Sequence, residues 1–475
     1  MRTKINSKLF LIFVTTLLFL IAIAFNISPL LRGPDDPLIE SRWPYYFVNT
    51  FHKTWIPLIP LLAILLLFYL TDAKQKLRFI LKTRYILFLL IIFMFVWQIS
   101  LVHFSRFGIG ILFRRVVDPG INGYFSSAIQ IDNAQTFIQD FPKIMPSLDQ
   151  HARGHPPGGV LLLHGVISVF EQFPVGTNAV LSFVPIPDSE ALLIWNNLSP
   201  PQRAASIFLG FFLHGLATLG IIPLYFIAKY FTDKKTAIRA LFLYAVFPSV
   251  SFFALLLDPF YAILSLASFL LLLIGLRKDN FFVILPGIIF GIGLFFSYSI
   301  LPMGFLSILF VVFSKQSLQK SLRSCLFYIL GISVALLIQM MIDFPVIESF
   351  LAVIAGQVPR SYLHWLVFNP YDFFVYLSIP ISVLFFFASK HLLRRTNSAL
   401  RPLCIAFWIS FCFLVLFGIS RGEVGRIWIP LMTMPIILVA WYSEQLHFST
   451  KNFTILLFLI GLQTILMEEF WVPIW

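Results

Sequence analysis

The sequence predicts an all-α fold, a polytopic transmembrane bundle of about 13 helices with long outer loops that carry juxtamembrane helices. Three observations lead there. First, 59% of the 475 residues are hydrophobic and only 12% are charged, with a mean hydropathy of +0.90. Soluble domains carry roughly 25% charged residues, so water is not the main solvent of this chain. Second, apolar runs near the roughly 20 residues that span a bilayer core recur along the whole length. Third, Lys and Arg lie between those runs, as topology determinants do. The net charge of +13 therefore implies no nucleic-acid partner, because the basic residues form no continuous stripe.

Taken in order, the runs are 9–26, 56–71, 85–102, 204–228, 238–257, 259–276, 281–297, 300–313, 324–342, 370–389, 402–419, 427–443 and 453–467. The first follows MRTKINSK and is too long for a cleaved signal. It reads as a signal anchor, although Ala22-Ile23-Ala24 resembles a cleavage site. A shorter run, 158–170, would reverse the side of every later loop if it crossed the bilayer. It is expected as a short re-entrant or partly buried helix, unless the chain crosses a second time within 171–203. Cys325, Cys404 and Cys412 sit inside apolar stretches and suggest neither disulfides nor metal ligation. His164 and His214 read as core histidines. The whole chain reads as one domain, 1–475.

With the N-terminus inside, Lys74, Lys76, Arg78, Lys82 and Arg84 fall in one cytoplasmic loop. Lys229, Lys234, Lys235 and Arg239 fall in a second, and Lys390, Arg394, Arg395 and Arg401 in a third. Among the acids, Asp72, Asp233, Asp279 and Glu444 remain inside and the rest face outward. Acids contribute little to topology, so their bias is separate information and points to a functional outer face. The long outer segments are 27–55, 103–157, 171–203 and 343–369, and loops of this length are often functional. Apolar spacings such as Phe125, Ile129, Ile131 and Phe137, and again Ile347, Phe350, Leu351 and Ile354, predict helices lying in the interface.

The outer segment 118–159 is the most informative. It opens with Asp118-Pro119-Gly120-Ile121-Asn122-Gly123-Tyr124 and closes with His155-Pro156-Pro157-Gly158-Gly159. The double proline starts the following helix and holds His155 at the membrane surface, where Asp118 can return to meet it. A solvated acid and an interfacial histidine are the plain alternative. Leu257-Asp258-Pro259 places a carboxylate between two apolar runs, which is costly unless it faces a cavity or a partner. A helix cap before proline is the alternative there. The turn Ser420-Arg421-Gly422-Glu423-Val424-Gly425-Arg426-Ile427-Trp428 puts two arginines and an acid on the outer face. Arginine suits bidentate phosphate contacts, while the plain reading is an Arg–Glu pair in a loop. Ser297-Tyr298-Ser299, and Arg360 with His364, read as interfacial packing. Asp35, Asp36 and Glu40 form an alternative acidic site that could bind metal or act as a base, while the plain reading is a solvated loop.

These segments, in this order, resemble the GT-C superfamily of membrane glycosyltransferases. The nearest groups are the family 39-like protein O-mannosyltransferase and aminoarabinose-transferase type and related bacterial arabinosyl- and mannosyltransferases. The resemblance is carried by Asp118–Tyr124, His155–Gly159, Leu257-Asp258-Pro259, Phe296-Ser297-Tyr298 and Gly422–Trp428. It implies a catalytic base at Asp118, a second acid at Asp258 in the same pocket, and a phosphate or metal contact at His155. It further implies substrate or phosphate contacts at Tyr124, Tyr298, Arg421, Glu423 and Arg426. Two departures stand out: Asp118 follows the third run rather than the first, and Pro119 rather than an acid follows it. Asp35 and Asp36, after the first run, therefore compete for the role of base.

The implied reaction is transfer of a hexose or pentose from a polyprenyl-phosphate donor to a hydroxyl of a lipid, glycan or protein acceptor. It would take place on the outer face of a membrane, expected to be a bacterial plasma membrane. The base removes the acceptor proton, attack from the opposite face inverts the anomeric centre, and arginines or a divalent cation stabilise the departing phosphate. A transporter or flippase of a polyprenyl-linked glycan is the competing class, and a lipid-glycan polymerase or ligase is a third. Internal repeats and mid-membrane charges would favour transport, and the sequence shows no such repeat.

Overall fold

Prolines and one serine decide how the apolar runs become helices. The structure, a computed structural model, describes residues 2–35, 42–45, 53, 55–73, 82–102, 108–183, 195, 197–278, 280–314 and 316–471. All of its regular elements are helices. Seven helical segments among the described residues are long and apolar enough to cross a membrane: Ser7–Ala24, Trp55–Asp72, Thr83–Val102, Pro200–Phe231, Asp258–Arg277, Leu318–Met341 and Thr450–Trp471. Two further pairs of helices reach that length only if each bent pair counts as one span. The all-α polytopic architecture expected from composition is thus present, with fewer full-length straight helices than the thirteen apolar runs.

The differences have local causes. Run 238–257 divides into Lys234–Val246 and Pro248–Phe252, because Pro248 has no N–H and starts a new turn at an extended Phe247. Run 370–389 divides into Tyr362–Leu377 and Ile379–Arg394, which meet at 106°. Ser378 sits at the corner with φ +89°, and its hydroxyl accepts from the Ile381 N–H. A break inside a bundle leaves backbone groups unpaired, which is expensive away from water. Gln463 of helix Thr450–Trp471 resolves this. It accepts from the Ile379 N–H at 2.9 Å and donates to the Val375 carbonyl at 2.9 Å. The segment 158–170 forms helix Gly158–Gln172 and then turns by 100° into Pro174–Phe183.

At the end of the bundle that carries Lys234 and Lys235, Arg239 is fully buried. Its Nε and Nη2 donate to Asp72 at 3.2 and 2.9 Å. Nη1 donates to the Ser443 hydroxyl at 3.3 Å and lies 2.7 Å from Glu444. Nη2 also donates to the Phe448 carbonyl at 3.0 Å. Lys235 pairs with Glu444 at 2.9 Å, and Thr450 donates to Asp72 at 2.7 Å. This knot ties four helices together. Helix Ile429–Gln445 runs from it to the opposite end of the bundle, a length of about 25 Å at 1.5 Å per residue.

Candidate active site

At that opposite end a second set of ionisable groups meets, and each is placed by a helix start or a turn. Asp258 is the first residue of helix Asp258–Arg277, with Pro259 following it. Proline is at ease in a first turn, and a carboxylate there complements the helix dipole. The segment Gly418–Trp428 links helices Arg401–Phe417 and Ile429–Gln445, and Gly418, Gly422 and Glu423 have φ of +57°, +88° and +58°. At Gly422 a Cβ would lie 2.9 Å from the Trp365 ring and would displace the end of the Arg360 side chain, so glycine suits the close approach as well as the backbone angle. Asn369, buried in helix Tyr362–Leu377, clamps this turn from beneath. Its amide donates to the Ser420 carbonyl at 2.6 Å and accepts from the Gly422 N–H at 2.9 Å.

The clamped turn delivers Glu423 and Arg426 to Asp258. Arg426 Nη1 donates to Asp258 Oδ2 at 3.2 Å, and both side chains are almost wholly buried. Arg426 also donates to Glu423 through Nε and Nη2, and Nη2 lies 3.1 Å from His151 Nδ1. Arg360 pairs with the other oxygen of Glu423 and donates to the Arg421 carbonyl. Asp258 Oδ1 is buried and has no hydrogen-bond partner among the described residues. The network therefore holds two acids and two bases, with one carboxylate oxygen to spare.

Aromatic residues wall the cluster. The double proline starts helix Gly158–Gln172, and the Gly158 N–H donates to the Phe295 carbonyl at 3.0 Å. A Cβ on Gly158 would lie 2.6 Å from that carbonyl, so this close helix contact depends on glycine. His155, just upstream, shares a hydrogen bond with the Ser297 hydroxyl through Nδ1 at 3.0 Å. Its ring lies 5.7 Å from that of Tyr124 and 6.0 Å from that of Tyr261. The two tyrosine hydroxyls are 3.5 Å apart. Burial, and next the Arg426 charge, lower the His155 pKa to about 3 and that of His151 to about 4. Both rings are therefore neutral near pH 7. Burial and the nearby Asp258 carboxylate push the Tyr124 phenol up. Burial also pushes the Glu423 carboxyl up, but Arg426 and Arg360 outweigh it and hold it well below the usual range.

The predicted residues distribute as follows. Tyr124, His155, Asp258, Glu423 and Arg426 share this neighbourhood. Asp118 ends helix Gly110–Val117 and makes local contacts: Oδ1 accepts from the Gly120 N–H at 2.9 Å and Oδ2 lies 3.5 Å from Arg114. Its segment still joins the cluster's wall, because Gly123 packs on Asp149 and Ala152, next to His151. Tyr298 turns away to pack edge-on against Phe350 at 5.1 Å. Arg421 is exposed, donates to the Arg360 carbonyl at 2.9 Å and lies over the Tyr362 ring. Asp35 is exposed and 3.5 Å from Arg42, while Asp36 and Glu40 lie outside the described residues. No group of three or more His, Cys, Asp or Glu side chains suited to a metal ion occurs among the described residues.

His151, Tyr261 and Asn369 were not singled out from the sequence, and Arg360 was read as packing. A signal existed for Arg360, since an arginine in an outer loop runs against the usual charge bias. His151 offered none, because it stands in a short polar stretch that looks solvated.

Residues 201–342 match the family described as dolichyl-phosphate-mannose-protein mannosyltransferase. No curated protein sequence matches the chain. Among solved structures, the chain is similar to the Archaeoglobus fulgidus oligosaccharyltransferase in complex with zinc and sulfate. That likeness has 14% identity and a TM-score of 0.43, and covers 80% of this chain and 53% of the other. It is also similar to the oligosaccharyltransferase AglB of the same organism, in complex with an inhibitory peptide and a dolichol-phosphate. Here the identity is 13% and the TM-score 0.47, covering 81% of this chain and 56% of the other. The chain spans about half the length of these structures. The family match covers the stretch that carries Asp258 and Ser297, and it shows over residues 201–342 the resemblance to GT-C membrane glycosyltransferases.

Proposed function

We propose that the chain is an inverting glycosyltransferase that takes a hexose or pentose from a polyprenyl-phosphate carrier and places it on a hydroxyl of a lipid, glycan or protein. The observation that carries this reading is the buried Asp258–Arg426–Glu423 network, set at the end of a membrane bundle and walled by Tyr124, His155 and Tyr261. The family match, whose description names a dolichyl-phosphate sugar donor, supports the donor class. A membrane-embedded carrier fits the setting: its chain lies among lipid-facing helices while its phosphosugar reaches the helix ends.

In this reaction Asp118 is the proposed general base. Its carboxylate is partly accessible and loosely paired with Arg114, whereas Asp258 is enclosed and engaged. The base takes the proton of the acceptor hydroxyl. The resulting oxygen attacks the anomeric carbon, the bond from that carbon to the phosphate oxygen breaks, and polyprenyl phosphate departs. The sugar is inverted. Asp258 fixes Arg426, and the cationic groups of the turn oppose the charge that develops on the phosphate. The active face is taken to be the non-cytoplasmic one, opposite the basic loops.

The test is transfer of labelled sugar from a polyprenyl-phosphate donor in membranes, with wild type beside Asp118→Asn, Asp258→Asn and the double variant Asp35→Asn/Asp36→Asn. Loss of at least about a hundredfold in Asp118→Asn is expected from removal of a general base. Undiminished transfer by that variant moves the base elsewhere. Absence of transfer from any lipid-linked donor, with measurable lipid flipping, would favour a transporter instead.

A further inference from the structure

His151 lies on the short helix Gln150–Arg153, half-buried against the ion cluster. Its Nδ1 is 3.1 Å from Arg426 Nη2. A guanidinium offers donors and no acceptor, and stays protonated. Nδ1 must therefore carry the lone pair, and the single proton of the neutral ring sits on Nε2. That Nε2–H makes no hydrogen bond among the described residues, and it is not sealed away as an orphan in the core. Arg426 thus fixes the ring in one tautomer and leaves a neutral donor beside the cluster. The ring is also within electrostatic reach of His155, Glu423 and Arg360.

We infer that His151 is a substrate-binding residue whose Nε2–H donates to an oxygen of the lipid-linked phosphosugar, an assignment that rests on the glycosyl-transfer reading. A donor that is neutral, oriented and partly desolvated suits an anionic or hydroxylic oxygen, and it adds no second charge next to Arg426. If the ring served only to steady Arg426, its acceptor nitrogen would be enough. The open donor is the feature that this purely structural role does not use.

The two halves of the imidazole can be removed separately. The amide oxygen of asparagine stands about where Nδ1 does, so His151→Asn keeps the acceptor for Arg426 and deletes the distal donor. The amide nitrogen of glutamine stands about where Nε2 does, so His151→Gln keeps the donor. Binding of farnesyl phosphate and of farnesyl-phosphate mannose to the purified full chain in detergent is the readout, made on protein that elutes as a single folded species. His151→Asn is expected to weaken binding about tenfold, while His151→Gln stays within about threefold of wild type. Weakening with both probes assigns the contact to phosphate, and weakening with the mannosylated probe alone assigns it to the sugar. Equal binding by wild type and His151→Asn, or a loss in His151→Gln as large as in His151→Asn, overturns the assignment while the donor reading stands. Wild type that binds neither probe overturns the donor reading as well.

Discussion

The two ends of helix Ile429–Gln445 carry ion clusters of the same make-up and opposite character. Each has two acids and two bases: Asp72, Glu444, Arg239 and Lys235 at one end, Asp258, Glu423, Arg426 and Arg360 at the other. At the first end every guanidinium nitrogen of Arg239 has a partner, with Ser443 and the Phe448 carbonyl completing its set, and Thr450 donates to Asp72. At the second, Asp258 Oδ1 and the His151 Nε2–H have no hydrogen-bond partner among the described residues. The backbone that delivers the second cluster passes through consecutive left-handed residues, Gly422 and Glu423. A satisfied buried network holds helices together, whereas strain and unspent hydrogen-bonding capacity tend to gather at functional sites. Burial and charge alone do not distinguish a site from a structural lock. Here the two clusters differ also in the open Asp258 Oδ1, which has no hydrogen-bond partner among the described residues, whereas Glu444 Oε1, which accepts no hydrogen bond either, lies 2.9 and 2.7 Å from Lys235 and Arg239.

Substitutions at the two ends test that contrast. The largest effect on stability is expected at the lock. Arg239→Ala leaves Asp72 and Glu444 without their buried partner, and breaking such a pair typically costs about 3–5 kcal/mol. Thermal unfolding in detergent should record the loss, while transfer per folded molecule stays within about twofold of wild type. A large drop in specific transfer would mean that the lock also serves the chemistry. At the other end, Gly422→Ala combines a strained φ with crowding against the Trp365 ring and the end of Arg360 and should cost about 1–3 kcal/mol. In that variant transfer should fall further than stability accounts for, because Glu423 and Arg426 move with the turn.

Acid should loosen the outer cluster through its histidines. Folded His151 and His155 have pKa values of about 4 and about 3, against about 6.5 in an unfolded chain. As pH falls below about 6.5 the unfolded state takes up protons first, so stability is complete above that pH. It declines as pH drops toward 4 for His151 and 3 for His155. A melting temperature that is flat from pH 7 to pH 4.5 would contradict this assignment. The smallest effect is expected at Asp35, whose side chain is 88% exposed and 3.5 Å from Arg42. Asp35→Asn should change stability by less than about 0.5 kcal/mol and leave transfer within about twofold. A loss of transfer there would revive the first outer loop as the source of the base.

Hydropathy made the bundle legible, because every bilayer crossing needs an apolar run of nearly fixed length. It could not show the break at Ser378, since one serine barely interrupts an apolar run, and the residue that makes the break tolerable, Gln463, lies 84 positions beyond Ile379, whose N–H it accepts from. The candidate cluster was readable where chemistry stood out against its surroundings, as with Asp258 between apolar runs and Glu423 and Arg426 in an outer turn. His151 and Asn369 carried no such contrast. Their places in the cluster arise from pairings across the fold, 275 residues from His151 to Arg426 and 53 from Asn369 to Gly422, and no local pattern encodes those. The pairing of Arg360, read as packing, was hidden for the same reason, since its partner Glu423 lies 63 residues on.

The most direct measurement of the contrast between the two ends is sugar transfer from a polyprenyl-phosphate donor by reconstituted Arg426→Gln and Arg239→Gln, each normalised to folded protein. The glutamine amide keeps a donor at each position and removes the charge. Arg426→Gln is predicted to lose transfer by about a hundredfold or more while remaining folded. Arg239→Gln is predicted to unfold at lower temperature and to transfer normally below it. Normal transfer by Arg426→Gln, together with lost transfer by Arg239→Gln, would place the chemistry at the other end of the bundle.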